Sequence, residues 1–254
     1  MANDDKFDKQ LKKIYYDTKD SGSFGGVQRL LKRAREKGID GVSQEKVAKF
    51  LADQQSYSLH KPARRNFKRN KTIVGGIDRQ WQADLADMQG LTKENDGYNY
   101  ILTVIDIFSK YAWAIPIKDK GTKSMVEAFK QLFKLSKHRQ PEKLQTDAGK
   151  EFLNKEIQAY FKTKGIQHFV SNSDKKAAVV ERFNRTLKTR IWTYFSAHQT
   201  NRYIDKLADF VTSYNESFHR TIGMRPVDVK PKDENKLFLK MFPETVNGTA
   251  NEKI

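Results

Sequence analysis

From Gln80 onward three strand-length runs follow one another, WQADLADMQ, YNYILTVIDI and YAWAIPI, and this succession limits the chain to a sheet-centred fold. The first two are joined across Asp96-Gly97, a dipeptide that predicts a hairpin and antiparallel pairing. The period then turns helical over Lys123 to Lys137, with Met125, Val126, Phe129, Leu132 and Phe133 at helical spacing behind Thr122 as a cap. A short strand, EKLQT, a helix through Ile157, Tyr160 and Phe161, a further strand, QHFVS, and two long helices over 178–196 and 202–218 complete the order. Three antiparallel strands followed by alternating helices and strands predict an α/β fold, a five-stranded mixed sheet flanked by helices. The short EKLQT strand should be central, with its C-terminal end opening beside the first strand.

Residues 1–60 read as a small helical domain. Leu30, Leu31 and Ala34 recur along VQRLLKRAREKG, Gly38 and Gly41 mark a turn, and Ser43 caps a second helix containing Val47 and Phe50. Two short helices about a glycine turn resemble a helix-turn-helix, so contact with DNA is one expectation for this segment. Residues 61–76 form a basic linker: KPARRNFKRNK, from Lys61 to Lys71, holds six basic residues and no acidic one. One-sided charge of this kind gains nothing as mere solvated linker, which favours phosphate contact by Arg64, Arg65, Lys68 and Arg69. The α/β unit should span 77–230, with a C-terminal tail over 231–254.

A formal net charge of +17 over 254 residues predicts a polyanionic partner, double-stranded DNA first. Hydrophobic residues make up 37% of the chain and aromatics 11%, enough for a packed core beneath that charge. There is no cysteine, which excludes disulfides and thiolate zinc sites, and the five histidines are scattered. The most apolar stretch contains Asp106, so neither a signal peptide nor a membrane span is expected, and the setting should be intracellular, nuclear in a eukaryotic host.

Three carboxylates stand in distinctive frames: Asp84 in WQADL, Asp147 in LQTDAG and Glu181 in VVERFNRTLK. Strand alternation turns Asp84, Ala86 and Met88 one way and Ala83, Leu85 and Asp87 the other, so Asp84 and Asp87 cannot share one site. Asp147 follows a short strand where strand ends open onto a cleft. At about 100° per residue, Asn184, Arg185 and Lys188 share the Glu181 side of their helix, while Val180, Phe183, Leu187, Ile191 and Tyr194 line the other. Each carboxylate alone reads as an ordinary turn, cap or solvated ion pair. Together they offer the hard oxygen ligands that a two-metal phosphoryl-transfer site requires. The cations Arg182, Arg185, Lys188 and Arg190, with Lys175 and Lys176 in SNSDKKAA, would hold phosphates.

The segment from Trp81 to Pro226 resembles the RNase H-like catalytic core of the retroviral-integrase and DDE-transposase superfamily. VGGIDRQWQADLADMQ, KLQTDAGKEF, VVERFNRTLKTR and YNESFHRTIGMRP together look most like integrases of Maverick/Polinton-type elements. The resemblance implies that Asp84, Asp147 and Glu181 are catalytic and hold two Mg²⁺ or Mn²⁺ ions, that Asn184 and Lys188 lie near the DNA end, and that the activity is 3′-end processing and strand transfer. Cutting two ends in concert implies a homo-oligomer, a dimer or tetramer. The chain departs from retroviral integrases in a slightly short interval, 33 residues between Asp147 and Glu181, and in lacking a His/Cys zinc module at its N-terminus. It stops soon after KLFLKMFPETV, before a clear chromodomain or small C-terminal β-barrel, so a further domain or other surfaces would serve assembly.

Two alternatives keep part of this pattern. An RNase H-like nuclease without strand transfer would need the same carboxylates, and a domesticated DNA-binding protein would not need them. Asp106 in VIDIFS is open between a supporting group beside the metals and a strand-end cap. Asn215 and His219 in YNESFHR are expected to brace the last helix.

Overall fold

The computed structural model describes residues 2–60, 72–137, 139–170 and 177–243. Five strands form one sheet in the order β3-β2-β1-β4-β5: β1 (Gln80–Asp87), β2 (Tyr100–Asp106), β3 (Ala112–Ile117), β4 (Lys143–Thr146) and β5 (Gln167–Val170). β1 runs antiparallel to β2, and β2 to β3, whereas β4 lies parallel to both β1 and β5. This is the five-stranded mixed sheet of an RNase H-like core. β2 is buried along its whole length, which is why YILTVID reads as a nearly continuous apolar run and not as an alternating one.

Helices cover both faces. On one face Trp81, Ala83, Leu102 and Val104 pack against α5 (Thr122–Leu135) through Met125, Phe129 and Leu132, and against α7 (Lys155–Thr163) through Ile157 and Phe161, with α6 (Lys150–Leu153) between them in sequence. On the other face Ala86, Ile101 and Ile105 meet α8 (Ala178–His198) through Val180, Phe183, Leu187 and Ile191, and α9 (Leu207–Asn215) through Leu207, Phe210 and Tyr214. The same cluster continues into α1 (Ala2–Tyr16), α2 (Val27–Glu36) and α3 (Gln44–Ala52) through Leu11, Tyr15, Leu30, Val47 and Phe50, and α4 (Gln55–His60) closes on α8 with His60 Nε2 2.8 Å from Ser196 Oγ.

The N-terminal segment is helical as expected, with Ser43 accepting from Lys46 N at 3.2 Å and Gly38 and Gly41 at positive φ in the turn between α2 and α3. Its hydrophobic cluster is nevertheless continuous with α8 and α9, so it packs as a layer on the core. The region read as a tail from 231 contains α10 (Glu234–Met241), whose Leu237 and Met241 bury against Val74, Ile107, Phe108 and Ile222. Glu234 Oε1 also accepts from Ile77 N at 2.8 Å, tying this helix to the entrance of the sheet.

Some local readings need correction. Thr122 is the first residue inside α5 and caps nothing; the start is held one turn earlier by Asp119, which accepts from Gly121 N at 2.7 Å and Ser124 Oγ at 2.8 Å. Asp96 and Gly97 do take positive φ, 54° and 82°, but they close the second of two short 3-10 turns within residues 88–99 and do not join β1 directly to β2. The last long helix is shorter than 202–218 because the chain enters it through a 3-10 turn, Ile204–Lys206, and leaves it for a bridge pairing His219 with Met224.

Candidate active site

Parity along β1 decides the first carboxylate. Asp84 sits opposite Thr103 on the face covered by α8, while Asp87 reaches the exposed strand end and accepts from Gln89 N at 2.9 Å. Asp84 Oδ1 accepts from Leu85 N at 2.8 Å, and Oδ2 accepts from Asn184 Nδ2 at 2.7 Å. Burial raises its pKa above the ordinary carboxylate value, and the charges of Asp147 and Glu181 push it further the same way. Asp147 and Glu181 therefore both lie within electrostatic reach of Asp84, although the three are contributed by β1, the end of β4 and the first turn of α8.

Asp147 is exposed just past β4, where its Oδ1 accepts from Gly149 N at 3.1 Å. Beneath it Thr146 Oγ donates to the Asp147 carbonyl at 2.8 Å and lies 2.9 Å from His168 Nε2; Gln158 Nε2 holds the other ring nitrogen at 2.7 Å. Burial lowers the His168 pKa, keeping the ring neutral to make both bonds. Glu181 enters with α8. Its helix has no side-chain cap of its own at Ala177, and Gln82 supplies one from the sheet: Oε1 accepts from Val179 N and Val180 N, both at 3.0 Å, while Nε2 donates to Gln145 Oε1 at 2.9 Å. Gln82, 1% exposed, thus joins β1, β4 and α8 two residues before Asp84. The sequence reading missed it, although its even parity with Asp84 was the available signal.

The expected helix face is borne out by burial. Val180, Phe183, Leu187 and Ile191 are buried, while Arg185 is exposed and Lys188 partly so, with its Nζ donating to the Asp87 carbonyl at 3.2 Å. Arg185 and Lys188 line an open groove of about 390 Å³ with His60, Thr189 and Trp192. Arg190 departs from expectation. It is 2% exposed and donates to Phe210 O, Ser213 Oγ and Ser217 Oγ, because at about 100° per residue it falls opposite Glu181.

Asp106 pairs with Trp81, three residues from Asp84 and on the other face of the sheet. Its carboxylate accepts from Ser109 N, Ser109 Oγ and Arg139 at the β2–β3 turn, which makes it a strand-end cap and not a neighbour of the acidic cluster. Asn215 braces as expected, exchanging two bonds with the Ala112 backbone at 2.8 and 2.9 Å on the edge strand β3. Lys175, Lys176, Arg64, Arg65, Lys68 and Arg69 lie outside the described residues.

Among the described residues no three His, Asp or Glu side chains stand close enough together to enclose a metal ion. The donor chemistry nevertheless suits a hard divalent cation, since Asp84 is partly desolvated and the carboxylates of Asp147 and Glu181, from separate elements, lie within its electrostatic reach. Asn184 adds a second sign: its Nδ2 sits on Asp84, and its Oδ1 is buried without a partner. None of the described helices is long and apolar enough to cross a membrane.

Residues 77–176 match the family model described as Integrase core domain. A transposon-derived protein of Caenorhabditis elegans is 36% identical over 146 residues, 58% of this chain and 51% of that protein. A retrovirus-related Pol polyprotein from transposon 412 of Drosophila melanogaster is 33% identical over 114 residues, 44% of this chain and 9% of that one. The chain therefore spans about half the length of the first relative and a small part of the second. In fold it resembles the catalytic core domain of HTLV-2 integrase in complex with magnesium, with a TM-score of 0.50 at 19% identity over 60% of this chain and 95% of that one. It also resembles the simian T-cell lymphotropic virus intasome solved with a PP2A regulatory subunit, with a TM-score of 0.55 at 15% identity, covering 78% and 72%. Together these similarities show an integrase core domain match over residues 77–176 and a fold shared with integrase catalytic cores.

Proposed function

We propose that this chain, whose residues 77–176 match the integrase core domain, is a DNA integrase or transposase of the DDE type that trims element ends and joins the freed 3′-hydroxyl to target DNA. The observation that carries the reading is the placement of Asp84, Asp147 and Glu181, from β1, the end of β4 and the start of α8, with Asp147 and Glu181 within electrostatic reach of the partly buried Asp84, since binding alone gives no reason to bring three acids together. The motifs quoted above favour Maverick/Polinton-type elements as the source.

In this reading Asp84, Asp147 and Glu181 hold two Mg²⁺ or Mn²⁺ ions, which when bound supply an activated water or 3′-hydroxyl and neutralise charge on the leaving oxygen. The protein's own part is positional. Gln82 pins the start of α8 to the sheet and so fixes where Glu181 points. Asn184, Arg185 and Lys188, one helical face, carry the phosphates of the DNA end, and Lys175, Lys176, Arg64, Arg65, Lys68 and Arg69 extend that contact along the duplex. Double-stranded DNA is both substrate and partner, and action on two ends at once calls for a homo-oligomer. In a eukaryotic host the site of action is the nucleus.

The test is a strand-transfer assay on a duplex with a recessed 3′ end in Mg²⁺ or Mn²⁺. Products longer than the substrate are expected. Shortened products alone would reduce the activity to that of a nuclease, and no metal-dependent product at all would overturn the reading.

A further inference from the structure

Several guanidinium groups in this fold are matched to acids, and the most deeply buried one is not. Arg139 pairs with Asp78 and Asp106, Arg33 with Asp20, and Arg202 with Asp96 and Asp205. Arg190 is fully enclosed yet donates only to neutral oxygens, Phe210 O at 3.3 Å, Ser213 Oγ at 2.7 Å and Ser217 Oγ at 3.0 Å, and its Nε is buried with no partner. Arginine stays protonated at any ordinary pH, so a buried cation here has no local means of neutralising itself.

Other cations gather at the same seam between α2, α8 and the loop after α9. Arg29, from α2, lies within electrostatic reach of Arg190, Tyr214 and His219 and has no ion pair among the described residues. Its stem runs close over Gly25, where an added Cβ would stand 2.7 Å from Arg29 Cδ, so the backbone is shaped to let it pass. The His219 ring, 6.5 Å from that of Tyr214, has its Nδ1 buried without a partner, and Lys110, Arg182 and Arg220 also lie within its electrostatic reach. Lys110 Nζ donates only to the Ile107 carbonyl, at 2.6 Å. The nearby acid is Asp106, already held by Arg139 and Ser109. Arg182 and Arg220 are exposed at the outer edge of the seam, within electrostatic reach of His219.

Desolvated like charges with unmet donors are costly to hold together, an anion relieves that cost, and the guanidinium fork matches the oxygens of phosphate. We propose that this seam is a phosphate-binding site, in which Arg29, Arg182 and Arg220 hold the oxygens, His219 Nδ1 adds a donor, and Arg190 supplies buried positive charge from behind. The ligand is a phosphate group, either a phosphodiester of DNA or a free phosphate compound. Because α2 belongs to the N-terminal helical layer and α8 to the core, occupancy also fastens one to the other.

Thermal melting of the full chain in chloride buffer with EDTA, titrated with inorganic pyrophosphate, tests this apart from any metal-dependent chemistry. The melting temperature should rise by a few degrees at saturation. Arg29→Gln should melt higher than wild type without pyrophosphate, since an uncompensated cation is gone, and should lose the response. Arg220→Gln, on an exposed side chain with no hydrogen bond or ion pair among the described residues, should melt as wild type does and bind pyrophosphate about tenfold more weakly. Duplex binding distinguishes the sources: a salt slope about one unit shallower in Arg29→Gln identifies a phosphodiester, and an unchanged slope beside a lost pyrophosphate response identifies a free phosphate compound. No shift in wild type with no change in slope, or equal pyrophosphate shifts in all three proteins, would overturn the proposal.

Discussion

Asn184 Nδ2 donates to Asp84 Oδ2 at 2.7 Å, and this bond joins α8 to β1. An amide donor thus occupies the carboxylate oxygen that a cation would share. Asp84 is held against burial first and the charges of Asp147 and Glu181 second, partly relieved by Leu85 N and the Asn184 amide.

Divalent metal should therefore stabilise the protein. Adding Mg²⁺ or Mn²⁺ is expected to raise the melting temperature by binding the folded state alone. Asp147→Asn should abolish that rise together with DNA cleavage while leaving the circular dichroism spectrum unchanged. A variant with full activity would remove Asp147 from the site.

Gln82→Ala tests how Glu181 is positioned. It leaves Val179 N and Val180 N without their acceptor in a buried setting and removes one of the two donors to Gln145 Oε1, which keeps Gln80 Nε2 at 3.0 Å, a loss of about 1–3 kcal/mol. Urea unfolding should register that loss, and hydrogen exchange should show faster opening at the start of α8. Wild-type exchange there would mean that the helix end is held by something else.

Lys188→Ala and Phe183→Ala should separate function from fold on one helix. Phe183 is 1% exposed and packs on Tyr214 with ring centroids 4.7 Å apart, so its truncation should cost about 3–5 kcal/mol. Lys188 lies on the outer side, and its loss should change stability by less than about 0.5 kcal/mol while weakening end joining. The reverse pattern in melting and joining assays would mean the helix is rotated and Glu181 misplaced.

The basic run gives a prediction in salt. Each phosphate neutralised steepens the fall of log affinity with log salt by about 0.9. Changing Arg64, Arg65, Lys68 and Arg69 to Gln should flatten the slope by roughly three to four units in a fluorescence-anisotropy titration. An identical slope would leave the run a linker.

His219 should make the fold acid-sensitive in phosphate-free buffer. Burial first, then the cations Lys110, Arg29, Arg182 and Arg220, push its pKa from the ordinary 6.5 to about 3. The unfolded chain takes up this proton below about 6.5 and the folded chain only near 3, so stability is full above that window and falls as pH drops through it. His219→Gln should flatten this part of a melting-temperature profile; an unaltered profile would place the acid sensitivity elsewhere.

Much of this was local information. Alternation placed Asp84 apart from Asp87, helical spacing put Asn184, Arg185 and Lys188 beside Glu181, and Ser43 before a helical run announced its cap; each follows from backbone periods that neighbours in sequence already express. Applied to Arg190, the same spacing already pointed away from Glu181, and the pull of a basic residue type obscured it. Other features depended on which surfaces met. Gln82 became a helix cap only because β1 lies under the start of α8, and α10 became core because Leu237 and Met241 found Ile107 and Phe108. The N-terminal helices joined the α8 layer because their apolar faces had α8 and α9 to cover. A periodic pattern shows that a face will be buried, but the partner that buries it, and the polar groups left without a counter-charge at the seam, are set by contacts between segments far apart in the chain.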